Sequence, residues 1–415
     1  MTTRYGSVAV CLLTLLCYSG AALGDDPAPD DPVANSQFAW KLFLQAAQPA
    51  SGGGLAFETW QEQCQINPSM PGCPTHVATS ADGKRVRTLH ASPLAHRLAA
   101  QNPKLAALIT VNGIECNKMN TFGLPVSNYP APPLYPPPTN LTGSAQFCEE
   151  VYANPPEVSF IQQNSLQTLT GQATYGQTHG NEITFPSNAI EIKADWVPTS
   201  SFSNPFQCPD STNSLYTETI NGTCYALVGL HISSKAKPDW VWATFEPASA
   251  ITNPNRCDPK LYSNCFDPWG STSSVPYGKD KAAGVKPSAT LLAAMKSANL
   301  NKAFANYYLT GVQTQFVGVQ GKPVFLGSSF VEYNAGVPQL QASCITCHKY
   351  AYYDGNPPPA GTPEDNFGGA PNGWANVGYA CNLNPQTKNC TPVTTPPPTP
   401  TSQDFSWMLG LMPAK

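Results

Sequence analysis

The sequence predicts an α+β protein: a β-rich body, antiparallel sheet or sandwich, with N-terminal helices before it and a small, loop-rich segment after it. Three observations lead there. Ala189 to Val197 alternates, with Ile190, Ile192, Ala194 and Trp196 on one side and Glu191, Lys193 and Asp195 on the other. That is the period of two expected of a half-buried strand. Tyr225–Ile232 and Trp240–Phe245 are apolar runs rich in strand-forming residues. Helical spacing marks other stretches, Ser36–Ala47 early and Pro287–Tyr308 late. At 415 residues the chain can bury a large core and is expected to form two domains.

Along the chain, residues 1–24 read as a signal peptide and residues 25–150 as a helical and loop region. Residues 151–335 read as the β-rich body and residues 336–415 as a separate C-terminal segment. The helix over Ser36–Ala47 carries Phe38, Trp40, Leu42, Phe43 and Ala46, and Gly52-Gly53-Gly54 stops it. Phe57–Trp60 is a short strand or turn. Ser92–Leu108 has helical spacing interrupted by Pro103. Tyr129–Thr139, with six prolines, is a rigid connecting loop of polyproline type. From about Phe160 the pattern turns to β. Pro287–Tyr308 is the clearest later helix, through Leu291, Leu292, Met295, Leu300 and Phe304. Phe316–Val319 and Val324–Tyr333 read as further strands. In the last segment, a short helix over Pro338–Tyr352 precedes Gly-, Pro- and Asn-rich loops. The Asp404–Met412 stretch then forms a terminal turn with Asp404 as N-cap.

Cys344-Ile345-Thr346-Cys347-His348 is the one stretch that names a chemistry. CxxCH is the attachment signature of c-type haem. On a helix, positions i, i+3 and i+4 share a face. Cys344 and Cys347 can then bond the two vinyl groups along one porphyrin edge, and His348 can offer a neutral imidazole to the iron. A zinc half-site would want a second Cys/His pair. Cys381 and Cys390 have no histidine nearby. A redox dithiol would want a βαβ setting, whereas Gly336-Val337-Pro338 precedes this motif. One motif implies one covalent haem.

The start of the chain supplies a matching compartment. Arg4, an apolar run from Val8 to Tyr18, and Ala22-Leu23-Gly24 before Asp25-Asp26 form a secretory signal with a small-x-small cleavage site. The run is too short to span a bilayer, and no later transmembrane segment is evident. Of 14 cysteines, two fall in the leader and two in the motif. The even remainder reads as disulfides in an oxidising periplasmic or secreted location, most simply 64–73, 116–148, 208–224, 257–265 and 381–390. Only 12% of residues are charged, against about 25% ordinarily, and net charge is −4. Neither suggests nucleic acid as a partner.

The C-terminal segment resembles the c-type cytochromes through Cys344, Cys347 and His348. The resemblance covers at most the last fifth of the chain. It implies a second axial ligand downstream, where Met408 and Met412 lie about 60 residues past His348. Such a ligand would raise the reduction potential; otherwise these methionines are packing residues. The two lie one turn apart and cannot easily both serve. Because the segment has little apolar material to cover a porphyrin, the haem edge is expected to pack on the β-rich body, with covering or distal residues from upstream. His231, in Gly229-Leu230-His231-Ile232-Ser233, is one such residue, or else a core histidine. His76, His90, His96 and His179 are weaker choices.

The implied function is electron transfer with a redox partner protein. A haem enzyme of peroxidase or oxygenase type is an alternative. So is a haem-bearing module that binds a glycan or a protein, through aromatics such as Tyr129–Tyr135 and Trp240–Trp242. No nucleophile elbow, metalloprotease helix, P-loop or dinucleotide fingerprint is present. Glu191, Asp195 and Glu246 read as members of solvated strand faces, since alternation already explains them.

Overall fold

The computed structural model describes residues 31–67, 89, 117–118, 141–142, 146–248, 266–272, 286–315, 326–332, 342–349, 351–353, 381–383, 390–392 and 401–409. Its centre is an eight-stranded antiparallel sheet, which makes the protein α+β with a β-rich body. The strands are β1 (Gln61–Glu62), β2 (Asn117–Lys118), β3 (Gln146–Ala153), β4 (Ile190–Pro198), β5 (Thr217–Ile220), β6 (Thr223–Ser234), β7 (Val241–Pro247) and β8 (Tyr307–Gln313). Their order is β1-β3-β4-β6-β7-β8, with β2 also on β3 and β5 also on β6. Among the described residues no helix is long and apolar enough to cross a membrane.

One face of the sheet is the apolar core. Ile192 pairs with Tyr152 and Ile232, and Ala194 with Leu230, so these side chains share a face. The helix Pro32–Ala46 lies against it and fills it with aromatics. Trp40 and Phe43 sit 4.9 and 4.6 Å from Phe245, and Phe43 sits 5.3 Å from Phe304. The helix starts where Asp31 accepts from the Val33 N–H, with Pro32 at the first position. It is anchored at Asp267, which accepts from Trp40 Nε1 at 2.8 Å and from the Ser36 hydroxyl.

Several expectations are corrected. The β pattern does not begin at Phe160: β3 precedes it, and helices Pro155–Gln163 and Leu169–Thr178 follow. The Pro287–Tyr308 helix ends at Ser297; Asn299 turns left-handed (φ 54°), and Tyr307 already opens β8. Tyr307 and Tyr308, the last residues of that expected helix, are strand residues. Of the expected strand Val324–Tyr333, the described residues 326–332 hold no strand: Leu326 makes an isolated bridge to Ser343 and the chain then turns. The Phe57–Trp60 stretch is a short 3-10 helix over Ala56–Thr59. Asp404 is not an N-cap: it has φ 53°, and its carboxylate takes the Phe185 N–H and Lys235 instead. Ser406 holds the turn, accepting from the Met408 N–H. The Ser92–Leu108 and Phe316–Val319 expectations and the polyproline stretch lie outside the described residues.

Cys208–Cys224 is a disulfide, and Cys64 and Cys148 are also disulfide-bonded. Cys73, Cys116, Cys257 and Cys265 fall outside the described residues.

Candidate functional site

The second face of the sheet is where the sequence reading and the structure part most. Glu191, Asp195 and Glu246 do not face solvent; they are 6%, 0% and 0% exposed. Strand alternation puts Glu149, Lys193, Asp195, His231, Ser233, Trp242, Thr244, Glu246 and Gln313 on this side. Segments 326–332, 342–349 and 401–409 supply the partners that bury it. Alternation reports which residues share a face and says nothing of what covers that face.

Charges are compensated locally. Lys193 Nζ lies 2.8 Å from Glu149 and stands opposite His231 in register. Burial works against its charge, but Glu149 and Asp195 outweigh burial and raise its pKa. Glu246 takes the Ser329 backbone N–H, the Ser329 hydroxyl at 2.8 Å and the Tyr308 hydroxyl at 3.2 Å. Near the sheet's other end, Lys235 pairs with Asp404 at 2.5 Å, both buried. Glu191 accepts from the Ser406 hydroxyl. Burial is the main cause that lifts Glu191 to about 7, and burial together with Glu191 raises Glu157 beside it.

The motif docks on this face. Cys344, Cys347 and His348 occupy one short helix, Cys344–His348, as expected. Gln313, fully buried at the end of β8, clamps it from below. Its Nε2 donates to Ser343 Oγ at 3.0 Å and its Oε1 accepts from the Ile345 N–H at 3.2 Å. Cys344 is buried, with Sγ 3.7 Å from the Leu326 carbonyl. Around it lie Ile345, Trp240, Trp242, Phe405, Met408 and Leu409, in one apolar cluster.

His348 is oriented twice. Its ring packs 4.4 Å from Trp242 and 6.4 Å from Trp407. Its Nδ1 lies 2.7 Å from the Phe405 carbonyl oxygen. A carbonyl only accepts, so Nδ1 carries the proton and Nε2 keeps its lone pair. Burial, opposed by the Phe405 bond and aided by Lys193, pushes the imidazole down to about 4, so it is neutral near pH 7. The carbonyl is aimed by an unusual turn: Asp404 and Phe405 both adopt left-handed backbone, φ 53° and 65°.

Across from the motif stands His231. Its Nε2 is buried and has no hydrogen-bond partner. Glu332 Oε2 lies 3.7 Å away, and the Cys344 Sγ, a Glu332 carboxylate oxygen and a ring nitrogen of His231 all fall within 4.8 Å of one another. Burial first, then the charges of Lys193 and His348, push His231 down to about 3. Burial lifts Glu332 to about 8, although its carboxylate takes the Ser328 N–H.

The donor set suits a covalently attached haem: two motif cysteines on one helical turn, a neutral imidazole with a fixed tautomer, and an orphaned buried imidazole nitrogen close by. Met408 is 1% exposed, on the turn that accepts the His348 Nδ1 proton; Met412 lies outside the described residues. Of the other histidines, His179 stacks on Tyr175 at 3.8 Å, and His76, His90 and His96 lie outside the described residues. Gln313, Glu332 and Phe405 gave no signal in the sequence. His231 gave a weak one, a histidine on a predicted strand. Comparison of the chain with protein-family models, curated proteins and solved structures finds no match, so the site's chemistry rests on its own residues.

Proposed function

We propose that this protein is an exported, single-haem c-type cytochrome that passes electrons through a haem bound covalently at Cys344 and Cys347. The observation that carries the reading is the His348 Nδ1 contact with the Phe405 carbonyl within a CxxCH sequence. Proximal histidines are held in this way, because a donor at Nδ1 fixes the ring and makes Nε2 a better ligand. When bound, the haem supplies a one-electron ferric/ferrous couple. The chain's part is to hold the imidazole neutral, fix its tautomer through Phe405, and press Trp242 against its ring. Disulfide bonding at Cys64, Cys148, Cys208 and Cys224 supports an oxidising location such as the periplasm.

The test is a denaturing gel and an alkaline pyridine spectrum of protein exported by a host with cytochrome c maturation. Haem should stay with the denatured chain, with the spectrum of two thioether bonds. Cys344→Ala and Cys347→Ala should each shift or abolish that signal. A chain that loses all haem on denaturation would refute covalent attachment. A potentiometric titration of the holoprotein should then follow a single reversible one-electron curve. A haem enzyme of peroxidase or oxygenase type is the second reading. His231 and Glu332 favour it only if the iron keeps an open position.

A further inference from the structure

The sequence offers two methionines for the iron's second axial position, and the structure argues against the one it describes. The two nitrogens of an imidazole point away from each other. In His348, Nδ1 points to the Phe405 carbonyl, so Nε2 is the nitrogen left to hold an iron, and a second ligand would approach from the Nε2 side of the ring. Met408 belongs to the turn on the Nδ1 side, three residues after Phe405, with its backbone N–H tied to Ser406. It is packed in the apolar cluster with Phe405 and Leu409. For Met408 to serve as the other ligand, the turn that orients His348 would have to come apart.

His231 has the opposite character. It projects from β6, in the middle of the sheet, opposite Lys193 on one neighbour and Thr244 on the other. A histidine in such a place normally satisfies both nitrogens. Here Nε2 is buried with no hydrogen-bond partner, which leaves a buried polar atom unsatisfied at a cost in stability. A cost of that kind persists where the atom is used for something else. The first thiol of the motif lies within 4.8 Å of a ring nitrogen of the same histidine.

We infer that His231 is the second axial ligand of the haem iron, facing His348, so that the iron is held by one histidine from the sheet and one from the motif. The inference rests on the haem reading above. The trio His231, Glu332 and Cys344 could otherwise hold a lone divalent cation. In this reading the Cys344 sulfur is committed to the porphyrin, and His231 is left for the iron. Glu332, its carboxylate fixed on the Ser328 N–H, sits 3.7 Å from His231 Nε2 and forms one wall of that nitrogen's surroundings.

The experiment is spectroscopy of the purified holoprotein, using full-length wild type, His231→Ala and Met408→Leu. Wild type should be low-spin when ferric, lack the far-red sulfur-to-iron band, show the near-infrared band of paired imidazoles, and take up no carbon monoxide when ferrous. His231→Ala should become high-spin and bind carbon monoxide, and added imidazole should restore the low-spin spectrum. Met408→Leu should leave every band in place. A sulfur-to-iron band in wild type that Met408→Leu removes would overturn the inference and leave the haem reading intact. So would a wild type that is already high-spin and open, which would favour the enzyme reading. A wild type carrying no covalent haem would overturn both. Should His231→Ala fail to accumulate, the wild-type near-infrared spectrum decides alone.

Discussion

At the scale of single residues, the buried face of the sheet predicts an unusual pH dependence. Burial, chiefly, lifts Glu191 from 4.5 to about 7 and Glu332 from 4.5 to about 8. The folded protein therefore holds more protons than the unfolded chain across those windows, and stability falls as pH rises through them. Melting temperature should fall from pH 6.5 to pH 8, and Glu191→Gln with Glu332→Gln should flatten that decline. An equally steep fall in the double variant would show that other groups carry it. None of this was readable beforehand. Glu191 and Lys193 were placed on the correct side of their strand, but one strand's alternation does not reveal that a distant segment will cover that side.

At the scale of elements, the 326–332 segment fits the sheet because of one glycine. A Cβ on Gly229 would stand 2.9 Å from Val331 Cγ2 and 3.3 Å from Ser328 Oγ. Neither neighbour yields easily: valine is stiff at χ1, and Ser328 Oγ accepts from the N–H groups of Phe330 and Val331. Gly229→Ala should destabilise by about 1–3 kcal/mol through overpacking, despite alanine's better fit to a strand. Denaturant unfolding checks the sign; a gain in stability would mean the segment moves aside freely. The elements themselves were unevenly legible. Strands β4, β6 and β7 declared themselves through alternation and β-branched runs. β8 was hidden at the end of a stretch whose leucines and phenylalanine fit helical spacing. The helices between β3 and β4 were missed, because Pro155 and Asn154 mark a helix start only when read as N1 and N-cap.

At the scale of the whole molecule, the motif depends on the rest of the chain. Its helix has five residues, far too few to stand alone. What holds it comes from the sheet and its connections: Gln313, Trp242 and the bridge from Leu326 to Ser343. Residues 336–415 expressed alone and exported should therefore yield little holoprotein with a native low-spin spectrum. A stable, normally ligated fragment would show that the sheet is dispensable to the site. The CxxCH pattern and its short helix were legible, because the i, i+3, i+4 spacing is read directly from the residues. Their setting was not, because Gln313 and Trp242 reach them from strands that look like ordinary core.

The clamp by Gln313 also bears on the order of assembly. In the finished fold Cys344 is buried and Ile345 is fully enclosed, with both flanks tied to one glutamine. An enzyme that joins porphyrin to thiols needs those thiols in the open. Under the haem reading proposed above, attachment would come while the C-terminal strip is still off the sheet, and the last steps of folding would be a race between docking and ligation. Whatever slows docking, a chaperone or a delayed disulfide, would favour the loaded protein over an empty one.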